Sequence, residues 1–287
     1  MFNQKSFHLN FPKSRGDYFI FSLPQSNNYQ TIADINCLPA KHEIRTIDEK
    51  ARFAHTLIIN LNDVNNNISV KFKAQLKAVK ITPDFDFEIE DYNGPSFEKF
   101  LKPDRFINGH DKNIKTLAEG NVKDSANVSE IITSLYNFTL QYLDYGKPNK
   151  DLHPYKQALI ERTTDCGGFS TFLASLLQSA GIPSRLVVGF LVNKKPMTNI
   201  LSIFDLCSLN FDLLIMHAWL EVLLPNNAWF PLDPSVEWRR NHHQSQRQGG
   251  FGYLPADRLV TSFGQDFKIK INNKVRVFDI LQNPIII

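Results

Sequence analysis

The chain has 287 residues, 43% of them hydrophobic, enough to bury a sizeable core as one large domain or two ordinary ones. Its 32 basic and 29 acidic side chains leave a formal net charge of +3, with no cluster of four or more Lys/Arg, which argues against a nucleic-acid partner. Residues 1–11 lack the continuous apolar stretch of a signal peptide, and no later run approaches the roughly 20 apolar residues that span a bilayer, so a cytoplasmic location without membrane contact is expected.

Residues 5–82 carry short β-branched and aromatic segments broken by turn formers, at 18–23, 29–35, 53–60 and 68–81. In the last of these, Val70, Phe72, Ala74, Leu76 and Ala78 alternate with Lys71, Lys73, Gln75 and Lys77, the period of a strand with one wet face. A β-sandwich-like domain over 1–95 is expected. Acidic residues, Gly94 and Pro95 mark a linker within 83–103, beyond which the periodicity changes, so 96–287 reads as a second domain. There Val128, Ile131, Ile132, Leu135 and Phe138 recur at helical spacing over 126–142, and 153–162 reads as another short helix. In 163–183, TTDCGGFSTFLASLLQSAGIP, a Thr or Asp can cap a helix of about four turns that Gly181 and Pro183 end.

The nearly continuous apolar run at 184–192 predicts a central strand covered on both faces. Strands at 216–224 and 228–233 follow, joined through Pro225-Asn226-Asn227, with later strands within 252–271. Helices first and then a mostly antiparallel sheet make the class α+β.

Three cysteines, Cys37, Cys166 and Cys207, are an odd number without CxxC spacing, which argues against a disulfide framework and a thiolate zinc site. The adjacent His242 and His243 lack a third ligand at metal spacing, so no metal and no cofactor is implied. Cys166 falls at the start of its helix, where free amides and the dipole favour a thiolate. Asp165 beside it works against that charge, so activation falls mainly to a partner imidazole. Taken alone, a helix cysteine is more often a small buried hydrophobe. In the strand 216–224, alternation puts His217, Trp219 and Glu221 on one face, as a cleft wall would require. Asp233 ends the next strand, before Pro234. Nucleophile, base and orienting acid are thus present in order.

The segments DCGGFSTFLASLLQSAGIPSRLVVGF and HAWLEVLLPNNAWFPLDPS resemble the core of the transglutaminase-like superfamily. That pattern is a Cys at a helix start, Gly-Ile-Pro-x-Arg leading into a strand, a His-Ala-Trp strand, and Trp-x-x-x-Asp-Pro. It is met here by Cys166, by 181–185, by His217-Ala218-Trp219, and by Trp229 with Asp233-Pro234. The likeness covers about 126–236, and GYLPADRLVTSFGQDFKI downstream resembles the tail of bacterial members proposed to be cysteine proteases. It implies a papain- and transglutaminase-like core with helices packed on an antiparallel sheet. It also implies a Cys166, His217, Asp233 triad acting on an amide of a peptide or protein substrate through a thioester acyl-enzyme. The backbone N–H of Cys166 would then donate to the oxyanion, and Gln157, Tyr155 and the Trp219 indole are candidates for a second donor.

Both amide hydrolysis and transfer of a glutamine acyl group to an amine remain open, as does a non-catalytic binding platform on the same fold. Hydrolysis is preferred, since the chain reads as cytoplasmic and carries no calcium loop. Three segments depart from the family or stay open. Residues 193–215 form an apolar insertion that could cover the cleft, and the polar stretch 239–250 could overhang it. A tight hairpin at Asn226-Asn227 would place Asp233 opposite Leu220, roughly 10 Å along the strand from His217.

Overall fold

The computed structural model describes residues 4–49, 51–125, 127–149, 151–193 and 214–287. The chain opens with β1 (Gln4–Phe11), β2 (Tyr18–Leu23), β3 (Gln30–Leu38), β4 (Glu43–Glu49), β5 (Arg52–Asn60), β6 (Ile68–Leu76) and β7 (Val79–Lys80). Then come α1 (Pro95–Glu98), α2 (Lys112–Val122), α3 (Val128–Tyr142), β8 (Asp144–Tyr145), α4 (Tyr155–Glu161), β9 (Thr163–Thr164) and α5 (Cys166–Ser179). The last part holds β10 (Ser184–Val192), β11 (Leu214–Leu223), β12 (Trp229–Leu232), α6 (Pro234–Asn241), β13 (Tyr253–Leu254), β14 (Arg258–Phe263), β15 (Phe267–Ile271), β16 (Lys274–Phe278) and β17 (Ile285–Ile286).

The alternation read in β6 is real: Val70, Phe72, Ala74 and Leu76 are buried, and Lys71 and Lys73 are exposed. With β1 and β3 this strand forms a three-stranded sheet in the order β1-β6-β3. Its Phe7, Leu9 and Phe72 share a core with Phe19, Phe21 and Leu57 of β2 and β5. The facing sheet is much larger. It runs β12-β11-β10-β14-β5-β2-β17, with β4 also paired to β5, and its ladders are antiparallel. The boundary expected near residue 95 falls between β7 and α1, yet β14 pairs with β5 through Ser262 and Ala54, and β17 pairs with β2. Hydrogen bonds therefore run across that point.

Helices pack on the β10–β12 end of the sheet around α5, which touches α2, α3, α4, α6, β10 and β11. Residues 167–178 are all buried, so this helix is surrounded and its apolar character runs right round it. Phe169, Phe172, Leu173, Leu176 and Leu177 are fully enclosed, each contributing about 1.5–3 kcal/mol of transfer free energy. Hydroxyls in its middle are bonded: Ser170 donates to the Cys166 carbonyl at 2.8 Å and Thr171 to that of His153 at 2.8 Å. Gly168 has no substitute, because the Thr164 side chain fills the space a Cβ would take. The start of α5 is thereby clamped on several sides.

Candidate active site

Cys166 is the first residue of α5, and Asp165 is its cap, accepting the Gly168 N–H at 3.1 Å on Oδ1 and the Asn149 N–H at 2.9 Å on Oδ2. The Cys166 sulfur is hydrogen-bonded by the backbone of Ala218 and of Gly167. Its access to Ala218 has a simple cause. Strand β12 pairs with β11 only from Leu220 to Leu223, so the next stretch of the β11 edge is left for α5. The thiol meets that edge one residue from His217.

Burial of the sulfur, with the Asp165 and Asp233 carboxylates, pushes the Cys166 thiol up to about 12, against the pull of the two amides. The helix-start advantage expected from the sequence is outweighed. A helix dipole contributes about 0.3–1 kcal/mol, less than one pKa unit, whereas desolvation can move a buried group by roughly 3–5 units.

His217 and Asp233 meet because the hairpin is wider than the sequence suggested. The last β11–β12 pair is Leu223 with Trp229, and 224–228 close the turn through Leu224 N–H to the Ala228 carbonyl, 2.8 Å. Asn227 takes φ +65° in it. Leu232, not Asp233, therefore lies opposite Leu220. Asp233 comes level with Trp219, on the same face as His217. One residue of register decides the face, and here it brings His217 Nε2 and Asp233 Oδ2 to 2.9 Å. Both are buried, at 4% and 0% exposure. An ionised carboxylate only accepts, so Nε2 donates in this pair, and in a neutral ring the lone pair falls on Nδ1.

The sequence reading missed the residue that completes this pair. Arg258, at the head of β14 and 1% exposed, donates to the same Asp233 Oδ2 from Nη2 at 2.7 Å and from Nε at 3.3 Å. Its Nη1 also bonds Asp257. The other oxygen, Oδ1, caps α6, accepting the Val236 N–H at 3.3 Å. Burial would raise Asp233, but the charges and hydrogen bonds of His217 and Arg258 outweigh it and hold the carboxyl well below the usual carboxylate range. A clue lay in the sequence: Arg258 is a charge opening the apolar run RLVTSF.

Two glutamines that carried no signal support the strand from behind. Gln282 Nε2 donates to the His217 carbonyl at 3.1 Å and to the carbonyl of Gly189, the cross-strand partner of His217. Gln30 pairs its amide with the Val260 backbone, accepting at 2.8 Å and donating at 2.9 Å, where β10 and β14 slip register. Gly189 is required because the Leu259 carbonyl abuts it.

The face of β11 read as a cleft wall is buried throughout. Trp219 is stacked near the His217 ring, centroids 5.8 Å apart. Glu221 accepts from Tyr29 Oη at 2.7 Å and from Arg185 Nε and Nη2 at 2.9 and 2.7 Å. The Arg185 guanidinium lies over the rings of Trp229 at 3.6 Å and Phe263 at 3.9 Å.

Of the three candidate second oxyanion donors, Tyr155 is engaged by Asp111 at 3.1 Å and Gln157 by Glu161 at 3.1 Å. The Trp219 indole N–H is enclosed with no acceptor among the described residues. His242 stacks on Trp238 at 3.7 Å and bonds its carbonyl, within the stretch expected to be loop, where α6 continues to Asn241. Of the insertion at 193–215, residues 194–213 lie outside the described residues, while Leu214 and Ile215 open β11.

A helix-start cysteine against a strand whose next residue is a histidine paired to aspartate, all on an α+β fold, defines the papain- and transglutaminase-like class of architecture. Residues 115–234 match the model of the transglutaminase-like superfamily. An uncharacterized Bacillus subtilis (strain 168) protein, YebA, is 27% identical over 150 residues, which are 48% of this chain and 20% of that protein. The chain thus spans about a fifth of the length of that curated relative. A proposed cysteine protease from Cytophaga hutchinsonii, of known crystal structure, superposes with a TM-score of 0.59 at 14% identity. The match covers 91% of this chain and 80% of that one, a likeness of fold.

Proposed function

We propose that the chain is a cysteine-nucleophile amide hydrolase acting on peptide or protein substrates, with Cys166 as nucleophile, His217 as base and Asp233 as the orienting acid. One observation carries the reading. The register of β12 puts Asp233 on His217 Nε2, which leaves Nδ1 as the basic nitrogen, one residue along the strand from the amide that bonds the Cys166 sulfur. Cys166 Sγ attacks the carbonyl carbon as its proton passes to Nδ1. The carbonyl π pair moves onto oxygen, where the Cys166 N–H donates to it. Collapse expels the amine, which takes the proton back from His217, and leaves a thioester that water cleaves with His217 again as base. The protein of C. hutchinsonii is described as a proposed protease, which agrees with hydrolysis as the branch taken here.

The test offers reduced casein with a labelled primary amine to the wild type, Cys166→Ala and His217→Ala. New peptide N-termini, together with an acyl adduct on the Cys166 peptide by mass spectrometry, are expected for the wild type alone. Amine incorporation faster than cleavage would make the protein an acyl transferase through the same thioester. Cleavage that survives Cys166→Ala, or no adduct and no product at all, would overturn the proposal and favour a binding platform.

A further inference from the structure

Arg258 lies outside the segment that matches the superfamily model, on a strand that pairs with β10 rather than with β11 or β12. Yet it spends two donors on one oxygen of Asp233, the oxygen that His217 also uses, at 2.7 and 3.3 Å against 2.9 Å for the imidazole. It is itself 1% exposed, so its charge is committed to this corner of the protein. A carboxylate with one cationic neighbour stabilises that cation fully; a carboxylate already matched by a guanidinium has less to offer an imidazolium.

We propose that Arg258 is a positioning residue of the candidate site: by sharing the Asp233 carboxylate with His217 it fixes the imidazole and takes up part of the negative charge that would otherwise stabilise an imidazolium there. The inference rests on the catalytic reading of Cys166 and His217. The charged surroundings agree with it from each side. At the start of α5, Asp165 opposes a thiolate, and so does Asp233 from the end of β12. On β8, Tyr145 faces Cys166, with Arg239 of α6 over its ring at 4.8 Å. Behind Arg258, Asp257 is shared with Arg247 at 3.1 Å. Around the sulfur, desolvation and two carboxylates stand against two amides, and the thiol is held up at about 12.

The experiment is the pH dependence of Cys166 alkylation by iodoacetamide, located by mass spectrometry, alongside its acylation by a nitrophenyl ester. Wild type, Arg258→Gln, Arg258→Lys and His217→Ala are compared. In the wild type, alkylation should rise only on the alkaline limb. In Arg258→Gln the unshared Asp233 favours the imidazolium–thiolate form, so alkylation at neutral pH should rise by about tenfold, one unit of pKa. Acylation should fall at the same time, because the ring is less firmly held. Arg258→Lys keeps the charge but loses the fork, so its alkylation profile should stay with the wild type while acylation drops.

A profile in Arg258→Gln that superposes on the wild type would overturn the charge-sharing proposal. Should Arg258→Gln not fold, Arg258→Lys decides, since a shifted alkylation profile there overturns it equally. Failure of the underlying catalytic reading looks different: wild-type acylation and alkylation would then be unchanged in His217→Ala, whatever Arg258 does.

Discussion

Strand β11 carries two buried charge clusters on one face, four residues apart, and they are built alike. Glu221 is held on one oxygen by Tyr29 and on the other by Arg185, whose flat surfaces are covered by Trp229 and Phe263. Asp233 is held by His217 and Arg258 and caps a helix with its second oxygen. The difference is what is left over. Every strong group of the Glu221 cluster has its partner, whereas the imidazole has a second nitrogen that no hydrogen bond occupies among the described residues. Beside it stands a thiol. Buried charge pairing by itself makes an anchor; the same pairing with one basic valence uncommitted, next to a nucleophile, can do chemistry.

Substitutions at the two clusters should separate along that line. The largest effect is expected for Asp233→Asn, which keeps the shape but lets the ring take the wrong tautomer; by analogy with a serine-protease triad, acylation should fall on the order of 10⁴-fold. Glu221→Ala should instead cost roughly 3–5 kcal/mol in chemical denaturation, by leaving Arg185 without its buried partner, with the acylation rate per folded molecule preserved. Equal losses of rate in both variants would break the distinction.

Acid should reveal the Asp233 cluster through stability. Because the folded carboxyl titrates below its unfolded value of about 3.9, the unfolded chain takes up the proton first as pH falls. The stabilisation is therefore complete above about pH 4 and fades below it. The melting-temperature gap between wild type and Asp233→Asn should be constant at higher pH and narrow below that point.

A smaller effect is expected at the thiol. Asp165→Asn keeps one acceptor for the helix cap but removes a charge that opposes the thiolate and one of the two backbone N–H acceptors, so Cys166 alkylation at neutral pH should rise by up to about tenfold while stability falls by about 1–3 kcal/mol. The smallest is Gln157→Ala, which removes only a bond to Glu161 on an exposed helix face and should leave acylation unchanged and stability within about 0.5 kcal/mol.

The candidate triad was legible because each member announces itself locally: a cap and Gly-Gly at the helix start, alternation along a strand, an Asp-Pro at a strand end. Its geometry was not. Whether Asp233 faces His217 depends on a turn closed by Leu224 and Ala228, and the sequence shows only the Asn-Asn at its tip. Helix α2 was missed because it buries little more than Ile114 and Ala118, too narrow a stripe to stand out. Arg258, Gln30 and Gln282 act on partners far along the chain, and nothing in their neighbourhoods names those partners. The burial of the Cys166 sulfur was hidden for a related reason, since it is set by β11 and not by the helix that carries it.

The large sheet has a practical consequence for anyone cutting the gene. A fragment trimmed to 115–234 ends one residue past Asp233 and keeps β10 to β12, but discards β14, and with it the arginine fork and the strand that closes the far side of β10. Such a fragment would expose a row of unpaired amides and carbonyls beside Val187, Val188 and Leu191, an adhesive edge that invites a neighbouring copy. Insolubility of that minimal piece would be a property of where it was cut.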